Sequence, residues 1–169
     1  MKIYAIMILS ESTIIKAVYN LSEFEWFKRK HIKEIIQLLV TTVATRNNNN
    51  SNIQVEHDGY KICMYNNNII VVTDDEYPNR VVLKLLNIVT LDNLNDVIQQ
   101  YQNPYKIDKL MALEKDLDEN KVILVKTISS LLERGEKIDD LVAKSEILSE
   151  QSKLFYKYTK KSNSCCVIL

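Results

Sequence analysis

The sequence predicts an α+β protein in which a domain with an antiparallel sheet and flanking helices is followed by a long helical coiled-coil segment. In the first hundred residues, short apolar runs that suit strands alternate with amphipathic stretches that suit helices. From residue 106 to 161 there is no proline and a single glycine, and leucine or isoleucine recurs at spacings of three and four. Because the 169 residues include only 2 Gly and 2 Pro, a turn-rich all-β fold is not expected.

The N-terminal domain, residues 1–104, is predicted to follow the order β-β-α-β-β-β-α. Its first strand is apolar on both faces, as a central strand would be, and the others are short β-rich runs between polar turns. The predicted strands cover residues 3–9, 13–19, 53–57, 60–65 and 69–73.

Local signals predict where the two helices of this domain begin. Ser22 and Glu25 have the spacing of a capping box, and Leu21 and Trp26 are placed to form a hydrophobic staple around it. Pro78 suits the first turn of the second helix, because its missing N–H costs nothing there.

The first helix carries an apolar arc that is too broad for a helix resting on a sheet alone. The arc predicts either a deeply buried helix, which is the more ordinary reading, or a groove that accepts something else. Its residues are Phe24, Phe27, Ile32, Ile35, Ile36, Leu38, Leu39 and Val43.

The C-terminal segment, residues 105–162, carries an apolar seam of about seven heptads. So long a stripe must either fold over its own α/β domain or associate with other helices. The apolar layers of the seam are Leu110, Leu113, Leu117, Leu124, Leu131, Ile138, Leu141, Leu148 and Phe155.

Arg134 lies at the centre of the seam, between the layers formed by Leu131 and Ile138. An arginine could reach out of such a seam into water, but the good layers on both sides indicate a polar layer inside a bundle. Later layers are small and polar at Ser145, Ser152 and Thr159, which predicts a bundle whose other helices supply the bulk.

The last four residues, Cys166-Val167-Ile168-Leu169, form a C-a-a-X box, the substrate pattern for prenylation of Cys166. Cys165 offers a second attachment point, and two lipids hold a protein on a membrane far more firmly than one. Lys153, Lys157, Lys160 and Lys161 precede the box and favour an anionic surface. The alternative is an ordinary tail with free thiols.

Several classes of protein are not expected from this composition. The formal net charge of zero argues against nucleic acid as a partner. No apolar run approaches the roughly 20 residues of a membrane span. There is no phosphate-binding G-x-x-x-x-G-K-[ST] loop and no nucleophile–His arrangement, so we expect no enzyme. His31 and His57 lack ligand partners at suitable spacing, so no metal or cofactor is expected, and Cys63 is interpreted as a core residue.

Several stretches together resemble the prenylated longin-domain R-SNAREs. Residues 131–142 resemble the centre of an R-SNARE motif, with Arg134 where that family has its ionic zero-layer arginine. Residues 75–80 resemble the start of the second helix of a longin domain. Residues 101–104 resemble the hinge, and residues 163–166 the lipidated tail, of the prenylated branch.

The resemblance implies a longin domain at 1–104, an R-SNARE motif at 105–162 and a lipidated tail at 163–169. It further implies that the protein contributes one helix to a parallel four-helix bundle with three Q-SNARE helices, and that this bundle drives membrane fusion. In its zero layer, Arg134 would meet three glutamine side chains. Two other readings remain open, a prenylated coiled-coil scaffold and a longin-type trafficking regulator without fusogenic activity.

The resemblance also implies how the tail is used. A prenyltransferase would modify Cys166, Cys165 would be reversibly palmitoylated, and the protein would act at the cytoplasmic face of Golgi, endosomal or vacuolar membranes and on transport vesicles. Leu169 favours geranylgeranyl, whereas the family mostly ends in residues that favour farnesyl. The longin domain would fold back on the SNARE motif and shelter the lipid in a groove. The groove candidates are Phe27, Ile35, Leu38 and Leu39.

Overall fold

The computed structural model describes residues 1–47, 52–66, 68–111 and 124–165. The strands within these ranges are β1 (Ile3–Ser10), β2 (Thr13–Tyr19), β3 (Ile53–His57), β4 (Tyr60–Tyr65), β5 (Ile69–Asp74) and β6 (Leu124–Thr127). The helices are α1 (Trp26–Arg46), α2 (Asn79–Ile88), α3 (Leu94–Gln100), α4 (Pro104–Met111), α5 (Ile138–Lys144) and α6 (Glu150–Cys165), with a 3₁₀ helix at Ile128–Leu131.

The strands form one sheet in the order β2-β1-β5-β4-β3-β6. The predicted sequence of elements, β-β-α-β-β-β-α, is confirmed up to α2. The first five strands pair antiparallel, as predicted. β6 is an additional edge strand that pairs parallel to β3, and its residues come from the segment predicted as coiled coil.

Each face of the sheet carries an apolar core because the alternating side chains of the central strands point to both sides. One core joins β1 and β5 to α2 and α3, and it includes the fully buried Cys63, as predicted for this residue. Burial raises the pKa of the Cys63 thiol to about 12, so it stays protonated and inert. The other core joins the opposite face to α1 and to Ile128 and Leu131 of the 3₁₀ helix.

The start of α1 differs from the prediction, and the predicted capping box is wrong. The helix begins at Trp26 without a side-chain cap, because the Ser22 hydroxyl and backbone N–H both bond to Asn20 Oδ1 in a local turn. The predicted staple is also absent among these described residues, since Leu21 is buried while Trp26 is 81% exposed.

The C-terminal segment does not form a single long helix in this conformation. Its described residues form α4, β6, the 3₁₀ helix, α5 and α6 in turn, and they wrap around the domain. Of the two ways to bury the seam that the sequence leaves open, the described residues of the segment adopt the first and fold over the chain's own domain. The physical reason is that an apolar stripe on a lone helix would stay in water. In the described ranges, no helix is long and apolar enough to cross a membrane.

A buried hydrogen bond joins Tyr77 to the backbone between α3 and α4, and we expect it to contribute to the free energy of unfolding. The Tyr77 hydroxyl donates to the backbone oxygen of Tyr101 at 2.6 Å. Replacing Tyr77 by Phe removes this donor and is expected to lower the free energy of unfolding by about 1–2 kcal/mol. Urea denaturation measures the change. Tyr105→Phe, at an exposed position of α4, is the matched control and should change little; equal stabilities of Tyr77→Phe and wild type would refute the assignment.

Candidate functional site: the contact between α1 and the C-terminal segment

The candidate site is the surface of α1 on which the C-terminal segment packs. α6 lies along α1 in the antiparallel sense, since Ser149 contacts Glu34 whereas Phe155, further along α6, contacts His31. A small apolar cluster, separate from the two cores of the domain, joins α1 to α5 and α6. Its buried members are Leu38, Val142, Leu148 and Tyr156, and Ile35 and Ile138 pack against it.

A chain of hydrogen bonds runs beside this cluster, and we call it the α1–α6 polar chain (Glu34, Ser149, Ser152 and His31). The Ser149 backbone N–H and hydroxyl both donate to Glu34 Oε2 at 2.8 Å. The Ser149 and Ser152 hydroxyls are 3.0 Å apart, and Ser152 Oγ lies 2.8 Å from His31 Nδ1. The His31 ring also stacks on Phe155, with their centroids 5.2 Å apart.

Glu34 therefore acts from α1 as a cap for the first turn of α6. Burial alone would raise the pKa of the Glu34 carboxyl, but the hydrogen bonds from Ser149 and Ser152, with help from Lys30, lower it below its ordinary value. The negative charge of Glu34 also faces the positive end of the α6 dipole. The contact between the two helices is thus stronger when Glu34 is ionised.

A second contact joins the end of α1 to a tight turn around Arg134. Arg46 Nη1 and Nη2 donate to Glu136 Oε2 and Oε1 at 2.5 and 3.0 Å. The hydrogen bond from Arg46 and its charge hold the pKa of the Glu136 carboxyl below its ordinary value. Arg134 and Gly135 occupy the corner of the turn, which is closed by a 2.9 Å hydrogen bond from Glu136 N to Glu133 O.

A third contact links α5 to α6 within the segment. Lys160 Nζ donates to both carboxylate oxygens of Asp139 at 2.6 and 2.7 Å. This pair, together with Tyr156, lowers the pKa of the Asp139 carboxyl. The two helices therefore pack on α1 as a connected unit.

The structure distributes the predicted seam residues between buried and exposed positions. Leu131 and Leu148 are buried, and Ile138, Leu141 and Phe155 are half-buried, all of them in the folded-back segment. The other predicted layers lie elsewhere. Leu124 is exposed on β6, and Leu110 is a residue of α4. Leu113 and Leu117 lie outside the described residues. The predicted central residue Arg134 is exposed in the turn, not enclosed by helices.

The groove candidates on α1 are not equivalent. Leu38 is 7% exposed and belongs to the cluster with α5 and α6, and Ile35 packs against that cluster. Leu39 packs instead in the core between α1 and the sheet. Phe27 is 50% exposed, and its ring contacts only the neighbouring Trp26 and Lys28 among the ring contacts of the described residues.

Of the two predicted lipid attachment sites, Cys165 is the last residue of α6, and Cys166 is outside the described residues. In the part of the chain that the structure describes, no group of three or more His, Cys, Asp and Glu residues is arranged to hold a metal ion.

Sequence reasoning missed the polar residues that orient the segment. His31 and Glu34 are three apart and lie on the same face of α1 as Ile35 and Leu38, so a polar pair within the apolar arc was the available signal. Arg46 offered no such signal, because its partner Glu136 is 90 residues away.

Comparisons with known proteins agree with this architecture. The family model for synaptobrevin matches residues 109–166. The VAMP-like protein YKT61 of Arabidopsis thaliana is 38% identical over 200 residues, covering 100% of both chains. The synaptobrevin homologs of Yarrowia lipolytica (YKT6) and Schizosaccharomyces pombe (ykt6) are 34% and 37% identical, over 100% and 99% of this chain and 100% of each relative.

An α+β domain followed by a synaptobrevin segment defines a SNARE protein with an N-terminal longin domain. More particularly, the chain belongs to the YKT6 family of synaptobrevin homologues. It therefore has a SNARE role in vesicle trafficking and is not an enzyme, as the sequence predicted.

The pKa of Glu34 gives a testable pH dependence for the contact. Because this pKa is lower in the folded chain than its ordinary value of 4.5, Glu34 stabilises the contact above that pH and loses the effect as the pH falls through the lowered pKa. The amide proton of Ser149, followed by NMR, should titrate with a midpoint below 4.5. Glu34→Gln should abolish this titration, whereas a midpoint at or above the ordinary value would contradict the arrangement.

Proposed function

We propose that this chain is an R-SNARE which mediates membrane fusion by contributing one helix, with Arg134 at its centre, to a parallel bundle with three Q-SNARE helices. Membership of the YKT6 family and the continuous seam of residues 110–159 support this proposal. In such a bundle the five N–H donors of Arg134 would be satisfied by glutamine carbonyl oxygens. A lone arginine would be a costly residue in an apolar seam without such partners.

One observation supports a closed form, the conformation in which the C-terminal segment packs on α1. Leu148, Ser152 and Phe155 are successive layers of the predicted seam, and these same three residues contact α1 or its apolar cluster. α1 therefore covers the surface that Q-SNARE helices would need. The two partners compete for one stripe, so the closed form holds the SNARE motif inactive until it opens.

The lipid would be sheltered at the free end of the α1–α6 contact. Because α6 runs antiparallel to α1, its C-terminal end at Cys165 lies toward the N-terminal end of α1. There Trp26 and Phe27 expose their rings to solvent. A prenyl chain on Cys166 that covered these rings would remove apolar surface from water on both sides, which gains roughly 25 cal/mol per Å² buried.

Palmitoylation of Cys165 would then act as the second signal that converts transient attachment into stable attachment. A single lipid binds a bilayer only marginally, whereas two bind it firmly. The basic residues of α6 add attraction to anionic lipid, since no acidic residue follows Glu150.

The competition can be tested with a substitution on α1 that does not alter the seam. Leu38→Asp places a charge in the cluster with α5 and α6 and is expected to open the closed form, because an unpaired buried carboxylate is strongly unfavourable. The full chain would be mixed with three Q-SNARE helices and the heat-resistant complex followed on SDS gels. Formation should be at least about tenfold faster than for wild type, the factor that corresponds to about 1.4 kcal/mol.

Leu91→Asp is the matched control, since Leu91 is an exposed leucine outside the α1 contact and should leave the rate unchanged. NMR spectra of core residues check that both variants remain folded. Failure of wild type and Leu38→Asp to form any heat-resistant complex would refute the R-SNARE proposal. Equal rates for the two would refute only the closed form as an inhibited state.

The roles of the two cysteines can be separated by membrane fractionation of cells. Cys166→Ser should make the protein wholly cytosolic, because both the prenyl group and the palmitoylation that depends on it are lost. Cys165→Ser should leave only weak, reversible membrane attachment by a single lipid. Persistence of the double variant on membranes would contradict this assignment.

A further inference from the structure

We propose that Arg46 is a positioning residue which holds residues 131–136 in a tight turn and thereby keeps Arg134 out of the bundle. This inference rests on the proposed function, because it concerns the residue at the centre of the seam. It assigns a specific role to a side chain of α1 that lies outside the cluster with α5 and α6 and outside the α1–α6 polar chain.

The turn at Glu133–Glu136, called the 133–136 turn below, has a conformation that depends on glycine. Gly135 has a φ of +87°, which lies in the left-handed region that residues other than glycine adopt only with strain. A positive φ at the third position, with the 2.9 Å hydrogen bond from Glu136 N to Glu133 O, is the pattern of a type II turn. Arg134 occupies the second position and points its charge into water, being exposed.

Arg46 of α1 binds this turn and the residue Leu131 just before it through three hydrogen bonds. Its guanidinium donates to both carboxylate oxygens of Glu136, and Nη1 also donates to the backbone oxygen of Leu131 at 3.3 Å. Glu136 Oε2 in turn accepts the backbone N–H of Glu133 at 3.1 Å. The side chains of Arg46 and Glu136 are only 24% and 19% exposed, so solvent screens this pair less than a surface ion pair.

These contacts are incompatible with a continuous helix through Arg134. In an α-helix the Leu131 oxygen would accept from the N–H of Gly135, and Glu133 N would be engaged within the helix rather than by Glu136. The bond from Arg46 to the Leu131 oxygen and the bond from Glu133 N–H to Glu136 must therefore break before this part of the seam becomes helical. Gly135 acts in the same direction, because glycine favours the turn and disfavours the interior of a helix.

The role of Arg46 is local, which distinguishes it from general packing. α5 and α6 are already helical in the closed form, so the described residues of the segment that must become α-helical are 124–137 and 145–149. The first of these stretches is the longer part, and it includes Arg134. Within that part, Arg46 contacts the stretch that carries Arg134. In a bundle, Glu136 would lie two residues beyond the Arg134 layer, on the outer face of the helix. Substitutions at Arg46 and Glu136 therefore leave the seam itself unchanged.

The test uses the full chain and three Q-SNARE helices. The variants are Arg46→Glu, Glu136→Arg, the charge-swapped double variant and Gly135→Ala. Two quantities are measured: amide hydrogen exchange of residues 131–136 in the chain alone, and the rate at which the heat-resistant complex forms. Each single charge reversal should raise both by about tenfold, the factor expected when one charge-assisted hydrogen bond is lost. The double variant should return most of the way to wild type.

Gly135→Ala should raise both quantities without altering any charge, because alanine is strained in the turn and favoured in the helix. Arg80→Glu, at an exposed arginine of α2, is the control for a change of net charge and should have no effect.

The outcomes separate this inference from the proposed function. If Arg46→Glu behaves as wild type while Leu38→Asp accelerates assembly, the closed form stands and the role of Arg46 is refuted. If Arg46→Glu accelerates assembly but the charge swap restores nothing, the ion pair is not the cause and the inference also fails. If no variant yields a heat-resistant complex, the failure lies with the proposed function. The exchange measurement still decides the role of Arg46: faster exchange at 131–136 in Arg46→Glu would support it, and unchanged exchange would refute it.

Discussion

The structure depends on one constraint, which is that the apolar stripe of residues 110–159 has to be buried somewhere. A helix that carried this stripe alone would expose leucine and isoleucine along its whole length, at a cost of about 1.5–3 kcal/mol for each large side chain left in water. Among the described residues, the isolated chain buries part of the stripe on its own domain. It adds β6 to the edge of the sheet, inserts Ile128 and Leu131 into a core, and lays α5 and α6 on α1.

The packing of the C-terminal segment on α1 is of a kind that can be reversed. The contact with α1 combines a small apolar cluster with a chain of hydroxyl, imidazole and carboxylate groups, rather than a continuous apolar core. Hydrogen bonds of this kind contribute only about 0.5–1.5 kcal/mol each, because water replaces them on opening. Residues 124–137 contain no α-helix in this conformation, so under the proposed function opening must also rebuild their backbone hydrogen bonds. Under the proposed function, both properties would allow three Q-SNARE helices to displace α1, provided that they bury the stripe better.

Much of the domain could be predicted from local pattern, because strand and helix periodicities are carried by neighbouring residues. The five strands and the order of elements followed from apolar runs, and the positions of the seam followed from heptad spacing. The broad arc of α1 predicted either deep burial or a groove for a second contact, and the pattern alone favoured burial. The start of α1 was not predictable, because Ser22 bonds to Asn20 instead of capping the helix.

The remaining features arise from contacts between residues far apart in sequence. Residues 124–127 have the seam pattern of a helix but become β6 because the edge of β3 offers backbone partners. Tertiary contacts therefore override the local preference. The pairing of Arg46 with Glu136 is of the same kind, since neither residue stands out in its own stretch. Gly135 differs from these residues, because it is the single glycine between residues 106 and 161 and so stands out in the sequence. Its positive φ explains why a glycine is present there.

The central claim is that α1 and the Q-SNARE helices bind the same face of the C-terminal segment. The most direct measurement is the distance between spin labels at Lys30 and Lys157, two exposed positions on α1 and α6, with Cys165 and Cys166 replaced by serine. The buried, protonated Cys63 would not react with the label. The chain alone should give one short distance, and a longer one should replace it as three Q-SNARE helices assemble. A short distance that persists in the assembled complex would contradict the claim.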